Sequence, residues 1–357
     1  MRKSTLSLAV LLAAAAIAAP YGPFNTTVGA QETTFNILVA NERATSAYPV
    51  FVGEELGFYE AEGIKVNFLP SDTSIPYIAF LSNGDAEMVM LDPAQVLQGV
   101  ESGLPISVVY EYMQRAPEAL VVPEASDIRT ISDLKGKTIG MASDRDQVTV
   151  NVALETAGMS PGDVETVVVG DSIALVISQV KNGSIDGYAG GSNETAAFVA
   201  NGIPLRHLTP PEISQQPGNS MVVWNPRKEE LRKAITGFLR AYNKAATAAL
   251  LDVQAVAAMS KKHVPEQWEN PSQGQAILDQ SAYQLLLQRT RLRGEPQPDV
   301  WSSLQDIYLK LGEVKKKHDT ATFLDESFIE PASDFTTAEV KQALAKWRDE
   351  NAELLSP

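Results

Sequence analysis

The segment Lys135-Gly-Lys-Thr-Ile-Gly-Met-Ala-Ser-Asp-Arg-Asp-Gln147 predicts a tight turn, a short buried strand and a loop that opens a helix at Ser143 or Asp144. A strand that runs directly into a helix leaves the first backbone N–H groups of the helix without partners, and these groups point beyond the sheet edge. Similar junctions occur on both sides of this segment. We therefore expect them to converge on one small ligand in a cleft between two lobes.

Short apolar strands alternate with helices before and after this segment. The predicted strands lie near residues 34–40, 64–69, 87–91, 106–111, 119–122, 138–142, 164–169, 185–189, 205–208 and 220–224. Such alternation is typical of parallel βαβ units and predicts an α/β fold. From Asn225 onward the pattern is helical, with helices expected near 226–250, 252–262, 272–289, 297–311 and 337–352.

This order predicts two βα lobes, and the chain passes from one lobe to the other twice, near residues 123 and 219. We expect lobe 1 at residues 31–123, lobe 2 at 124–218 and the mostly helical remainder of lobe 1 at 219–357. Ligands of open α/β sheets bind beyond the carboxyl ends of the strands, so two facing lobes bring two sets of such ends to one cleft.

Composition narrows the classes of function. The 357 residues include no cysteine and three histidines, so we expect no disulfide, no thiol nucleophile, no metal site and no cofactor. The net charge of −15 disfavours binding to nucleic acid and to anionic membranes. No set of nucleophile, histidine and acid is apparent, and no catalytic residue is expected.

The first thirty residues predict a cleaved signal peptide. Arg2 and Lys3 precede an apolar stretch at residues 6–19, and Val28-Gly29-Ala30 provides small residues for cleavage before Gln31. The apolar stretch is short for a membrane span. We expect export to a Gram-negative periplasm without a lipid anchor.

Several segments resemble those of a known family. Glu54–Ile64 is similar to the pattern A-x-x-x-G-[FY]-[FY]-x-x-x-G-[IL], and Ile131–Gly140 to [IL]-x-D-L-K-G-K-x-[IV]-[GA]. Leu81–Ala86, Gly103–Ile106 and Asn182–Gly187 resemble shorter turns of the same proteins. These are periplasmic substrate-binding proteins of ABC importers, in the NMT1/THI5-like branch that handles nitrate, sulfonates, taurine and thiamine-precursor pyrimidines.

The resemblance implies a two-lobed periplasmic-binding-protein fold (type II, Venus flytrap) that closes on its ligand. It also implies a monomer that delivers a small molecule to an ABC permease in the inner membrane. The loop at residues 41–48 lacks the Trp-Pro-Asn of the thiamine-pyrimidine members, and residues 68–74 lack the sulfonate-binder segment. The substrate therefore does not carry over from either group.

Polar residues that follow the predicted strands are the candidate ligand contacts. They are Asn41, Glu42, Ser46, Tyr48, Ser71, Asp72, Asp92, Gln95, Tyr110, Tyr112, Ser143, Asp144, Gln147, Gly190, Gly191, Asn193 and Asn219. Several have a purely structural alternative. Asp92 before a proline suits an N-cap. Strand alternation places Tyr110 and Tyr112 on one face and Glu111 on the other, and one of these sets could face the core. Acids crowd these strand ends, which argues against a small naked anion.

Three functions remain open at this point. The first is a transport protein that binds a neutral or amine-bearing organic molecule, such as a heterocycle. The second is a pyrimidine synthase, because that enzyme resembles these binders; its family relies on a Cys-rich motif and a Lys-bound cofactor, and this chain has no cysteine. The third is a periplasmic sensor for a membrane receptor.

Overall fold

Ten strands form two five-stranded sheets in the computed structural model, which describes residues 33–39, 44–69, 77–170 and 172–355. The predicted signal peptide lies outside these residues. The strands are β1 (Thr33–Leu38), β2 (Ile64–Leu69), β3 (Met88–Leu91), β4 (Ile106–Tyr110), β5 (Glu118–Pro123), β6 (Thr138–Met141), β7 (Glu165–Val168), β8 (Gly187–Gly191), β9 (Leu205–His207) and β10 (Ser220–Trp224).

The first sheet, with the elements packed on it, is lobe 1 and has the strand order β2-β1-β3-β10-β4. The second sheet defines lobe 2 and has the order β7-β6-β8-β5-β9. Both sheets are mixed, because β10 runs antiparallel to β3 and β4, and β5 runs antiparallel to β8 and β9. The chain thus changes sheet before Glu118, earlier than the expected crossing near residue 123.

Fifteen α-helices cover the two sheets within the described part of the chain. They are α1 (Tyr48–Glu55), α2 (Phe58–Ala61), α3 (Tyr77–Asn83), α4 (Pro93–Glu101), α5 (Gln147–Thr156), α6 (Ile173–Lys181), α7 (Ser192–Ala200), α8 (Pro211–Ser214), α9 (Asn225–Lys228), α10 (Arg232–Leu251), α11 (Val253–His263), α12 (Pro271–Leu286), α13 (Pro298–Leu311), α14 (Ile329–Ala332) and α15 (Thr337–Glu350). None of the described helices combines the length and the apolar character that a membrane crossing requires.

The C-terminal helices pack on lobe 1, as the sequence predicted, and α12 also contacts α7 of lobe 2. Phe238 of α10 stacks on Phe35 of β1 and on Tyr59 of α2, with ring centroids 5.2 and 5.5 Å apart. Burying such aromatic pairs contributes both apolar area and specific ring geometry. The helical segment therefore completes the core of lobe 1.

A buried carboxylate anchors α13 to the sheet of lobe 1. Glu111, just after β4, is 0% exposed and accepts hydrogen bonds from Gln297 N (2.9 Å), Gln297 Nε2 (2.6 Å) and Trp301 Nε1 (2.6 Å). The backbone N–H of Glu111 in turn donates to Gly294 O. One side chain thus satisfies three buried donors at the start of the helix.

The two crossings between the lobes lie side by side. Gly218 N donates to Met113 O (3.0 Å), Met113 N to Asn219 O (3.2 Å), and Ala116 N to Gln216 O (2.9 Å). A Cβ added at Gly218 would lie 2.7 Å from Met113 Cβ and 2.8 Å from Met113 O. Glycine is needed here because the two backbones approach too closely for any side chain.

Candidate ligand-binding cleft

A cleft of about 470 Å³ opens between the two lobes. Lobe 1 contributes the first turn of α4 and part of α13, and lobe 2 contributes the turn before α5 together with α8. The paired crossings supply the remaining wall. A volume of this order suits a small organic molecule. Two of the predicted strand-to-helix junctions, those that open α4 and α5, therefore meet at one cavity.

Asp92 both caps α4 and faces this cleft. Its side chain accepts from Gln95 N (2.8 Å), and Gln95 Oε1 accepts from Asp92 N (3.2 Å), which is a capping box. The second carboxylate oxygen lies 3.5 Å from Nη1 of Arg145, which belongs to lobe 2. The capping role and the cleft position are therefore compatible, and the ion pair spans the two lobes.

The turn before α5 is held by a second capping box. Asp146 Oδ2 accepts from Ser143 N (2.7 Å) and from Ser143 Oγ (3.1 Å). Ser143 and the exposed Asp144 line the cleft. The amide of Gln147 points elsewhere, because it donates to Asn151 and accepts from Thr166.

Burial perturbs the acids of the cleft. Burial, together with the nearby negative charges of Asp92 and Asp146, raises the pKa of Glu118 to about 7. Burial also raises the pKa of Asp92 and the pKa of Asp146 above their ordinary values. These carboxylates are held in an environment that disfavours further negative charge.

Polar groups of the cleft wall lack hydrogen-bond partners. Gln216 Oε1 and Asn219 Oδ1 are buried and accept no hydrogen bond within the described residues. Tyr308 of α13 is 8% exposed, lines the cleft, and its hydroxyl makes no hydrogen bond to the described residues. Unpartnered acceptors in a cavity favour a ligand that brings N–H or O–H donors.

Five of the residues proposed from the sequence thus come together in the cleft: Asp92, Gln95, Ser143, Asp144 and Asn219. Tyr112 lies just behind the wall, buried beside Asn219. Ligand contact at these positions stays a prediction.

The other two tyrosines lie in the core of lobe 1 instead. Tyr48 is fully buried and its hydroxyl donates to Ala246 O (2.8 Å). Tyr110 is 1% exposed, with its ring against Gly294. Both are far too enclosed to line the cleft, because apolar surface on neighbouring helices covers their rings.

The end of β8 is covered by α12. Asn193 Oδ1 accepts from Ser281 Oγ (2.8 Å) of that helix, and Gln284 Nε2 donates to Ser192 Oγ (3.2 Å). Gly190 and Gly191 end the strand beneath this contact, outside the cleft lining. Ser46 also lies outside the lining, in the 3-10 helix Thr45–Ala47, and caps no helix. Asn41, Glu42, Ser71 and Asp72 lie outside the described residues.

Most residues of the cleft lining were not among the sequence-based candidates, and Glu118, Asp146, Gln216 and Tyr308 are polar examples. Glu118 is the first residue of β5, which runs antiparallel to β8. The start of β5 therefore lies at the sheet edge where β8 ends. Tyr308 lies in mid-helix, and no local pattern marks it. Within the described part of the chain, no group of three His, Cys, Asp or Glu side chains is placed to hold a metal ion.

The raised pKa values predict that stability falls as pH rises from about 4.5 to about 7. Glu118 and Glu111 each have a pKa raised to about 7, chiefly by burial, so the folded protein holds protons that the unfolded chain releases near 4.5. The unfolding free energy should drop by about 3 kcal/mol per group over this window. Urea denaturation at several pH values measures the slope.

Glu118→Gln should flatten that slope, because it removes one of the two titrating groups. Glu55 and Asp163 have pKa values lowered to about 2, so the stabilisation that comes from their charged forms is lost only at more acidic pH. A slope that stays unchanged in the Glu118→Gln variant would contradict the assignment.

A family model described as NMT1/THI5 like matches residues 44–254. Among curated proteins, the 4-amino-5-hydroxymethyl-2-methylpyrimidine phosphate synthase of Schizosaccharomyces pombe is 27% identical over 142 residues, which cover 40% of each chain. The riboflavin-binding protein RibY of Chloroflexus aurantiacus is 24% identical over 61% of this chain and 63% of that protein. The matched segments thus span less than two thirds of these relatives' own length.

Solved structures share the fold at low sequence identity. The periplasmic aliphatic sulphonate binding protein SsuA from Escherichia coli has a TM-score of 0.64 at 16% identity, covering 82% of this chain and 92% of that one. The alkanesulfonate-binding protein SsuA from Xanthomonas axonopodis pv. citri, bound to MOPS, has a TM-score of 0.62 at 14% identity, covering 83% and 99%. The desulfurization enzyme DSZB has a TM-score of 0.56 at 13% identity, covering 85% and 99%. The expected α/β periplasmic-binding-protein fold is confirmed.

Proposed function

Because the chain belongs to the NMT1/THI5-like family, as its motifs predicted, we propose that it is the periplasmic solute-binding component of an ABC importer. It captures a small polar organic molecule between its two lobes and delivers it to a permease in the inner membrane. The observation that carries this proposal is the interlobe cleft, which is lined by polar residues from both lobes.

The arrangement of the crossings supports a binding cycle. The two crossing segments that join the lobes lie next to each other beside the cleft. Hinge rotation about these segments would open and close the cleft. Binding proteins of ABC import systems are among the structures that share this fold, which supports a periplasmic location.

An enzymatic function is the second candidate, since several relatives are named as pyrimidine phosphate synthases. The lining of the cleft disfavours it. The chain has no cysteine, and neither lysine nor histidine occurs among the described residues that line the cleft. A cofactor bound through a lysine, or a thiol nucleophile, therefore has no residue to hold it there.

A thermal-shift screen of small metabolites tests the proposal. A ligand at a hundredfold excess over its Kd should stabilise the protein by ~3 kcal/mol and raise its melting temperature. Mass spectrometry of the recovered ligand should show it chemically unchanged. Turnover of the ligand would favour the enzyme, and a screen in which no metabolite stabilises the protein would refute the binding function. A sensor would bind equally well, and genes for a permease and an ATPase beside this one would favour uptake.

A further inference from the structure

The cleft carries a strong excess of negative charge. Among the described residues that line it, five are acids, namely Asp92, Glu118, Asp144, Asp146 and Glu212, and one is basic, namely Arg145. Three of the acids, Asp92, Glu118 and Asp146, interact electrostatically with one another and with Arg145. A single cation therefore sits among several carboxylates.

Hydrogen bonding points to the same kind of ligand. The Tyr308 side chain is more than nine-tenths buried and lines the cavity, and its hydroxyl makes no hydrogen bond to another described residue. Gln216 Oε1 and Asn219 Oδ1 are acceptors without donors. Ammonium and amidinium groups offer several N–H donors and no acceptor, which matches an acceptor-rich wall.

The ion pair between Asp92 and Arg145 is asymmetric. The Asp92 side chain is 16% exposed and fixed by its capping box, whereas the Arg145 side chain is 46% exposed. Their closest atoms, Asp92 Oδ2 and Arg145 Nη1, are 3.5 Å apart, which is long for a salt bridge. The Asp92 carboxylate is thus held in place. The Arg145 guanidinium is half-exposed, so exchanging its contact with Asp92 for contacts with water costs little free energy.

We propose that the cleft selects a cationic ligand, an amine or amidine, and this inference rests on the proposed function. The charged group of the ligand takes the place that the Arg145 guanidinium holds beside Asp92. Arg145 of lobe 2 then competes with the ligand for the Asp92 carboxylate of lobe 1. An anion would instead have to enter among five acids, and the charged carboxylates would repel it.

Two variants with opposite expected effects test this inference. The probes are benzamidine, benzamide and benzoate, which share a planar shape and differ in charge, and calorimetry measures their binding to the full chain. Arg145→Met should bind benzamidine about tenfold more tightly than the unaltered protein, which corresponds to ~1.4 kcal/mol. Asp92→Asn keeps a good N-cap residue but loses the charge, and it should bind benzamidine at least tenfold more weakly.

Arg291→Met is the matched control, because Arg291 lies on the C-terminal segment, away from the cleft, in an exposed pair with Glu330. It should leave all three affinities unchanged. Weaker benzamidine binding by Arg145→Met, preferential binding of benzoate, or no binding of benzamidine to any variant would overturn the inference. A neutral or anionic metabolite found by the thermal-shift screen and weakened by Arg145→Met would also overturn it, while leaving the proposed binding function intact.

Discussion

Glu111→Ala should lower the free energy of unfolding by about 3–5 kcal/mol, because it strips three buried donors of their acceptor. These donors are the backbone and side-chain N–H groups of Gln297 and the indole N–H of Trp301. All belong to the start of α13, which carries Tyr308 into the cleft. Urea denaturation near pH 8, where the carboxylate is charged, measures the loss.

Two further variants make this result specific. Glu111→Gln keeps one acceptor oxygen but turns an N–H₂ group towards a donor. Its loss of unfolding free energy should therefore be smaller than that of Glu111→Ala but still measurable. Glu230→Ala makes the same truncation at an exposed position and should change stability by no more than about 0.5 kcal/mol. Equal stability of the Glu111→Ala and Glu230→Ala variants would show that the buried network contributes nothing.

Gly218→Ala should destabilise the protein by about 3 kcal/mol and weaken ligand binding at least tenfold. The added carbon would lie against the backbone of the neighbouring crossing at Met113 and Arg115, which cannot rotate away as a side chain can. The crossings would have to separate, and with them the wall that carries Gln216 and Asn219. Thermal denaturation and calorimetry with a ligand from the metabolite screen measure the two effects.

Gly162→Ala is the matched control for the hinge. A Cβ at Gly162 meets no atom within 4 Å, and its backbone is not left-handed, so the substitution should be neutral or slightly stabilising. If Gly218→Ala behaved like Gly162→Ala, the close approach of the two crossings would have no energetic role.

Most of the fold could be predicted because its signals are local. Asp92 followed by Pro93 marks a helix start wherever it occurs, and the structure places α4 there with a complete capping box. The strands Ile64–Leu69 and Ser220–Trp224 lie where the apolar pattern predicted them. The expected long helix at 226–250 is instead divided into α9 and α10.

The cleft was less predictable because its members depend on long-range packing. Tyr48 and Tyr110 follow the same strand-end rule as Asp92, yet they face the core, since alternation does not tell which face of a strand is covered. Tyr308 lies on α13, whose start is hydrogen-bonded to Glu111 from a distant part of the sequence. The direction of β5 likewise depends on its partners β8 and β9.

The position of β10 between β3 and β4 has a consequence for how the chain is made. Lobe 2 is one continuous stretch and can assemble as soon as its last strand, β9, has been synthesised. The sheet of lobe 1 must wait, because β3 and β4 have no partner between them until residues 220–224 arrive. Until then each exposes an open strand edge, which is a template for wrong pairing. The nascent chain is therefore most vulnerable to aggregation when lobe 2 is already complete and lobe 1 is not.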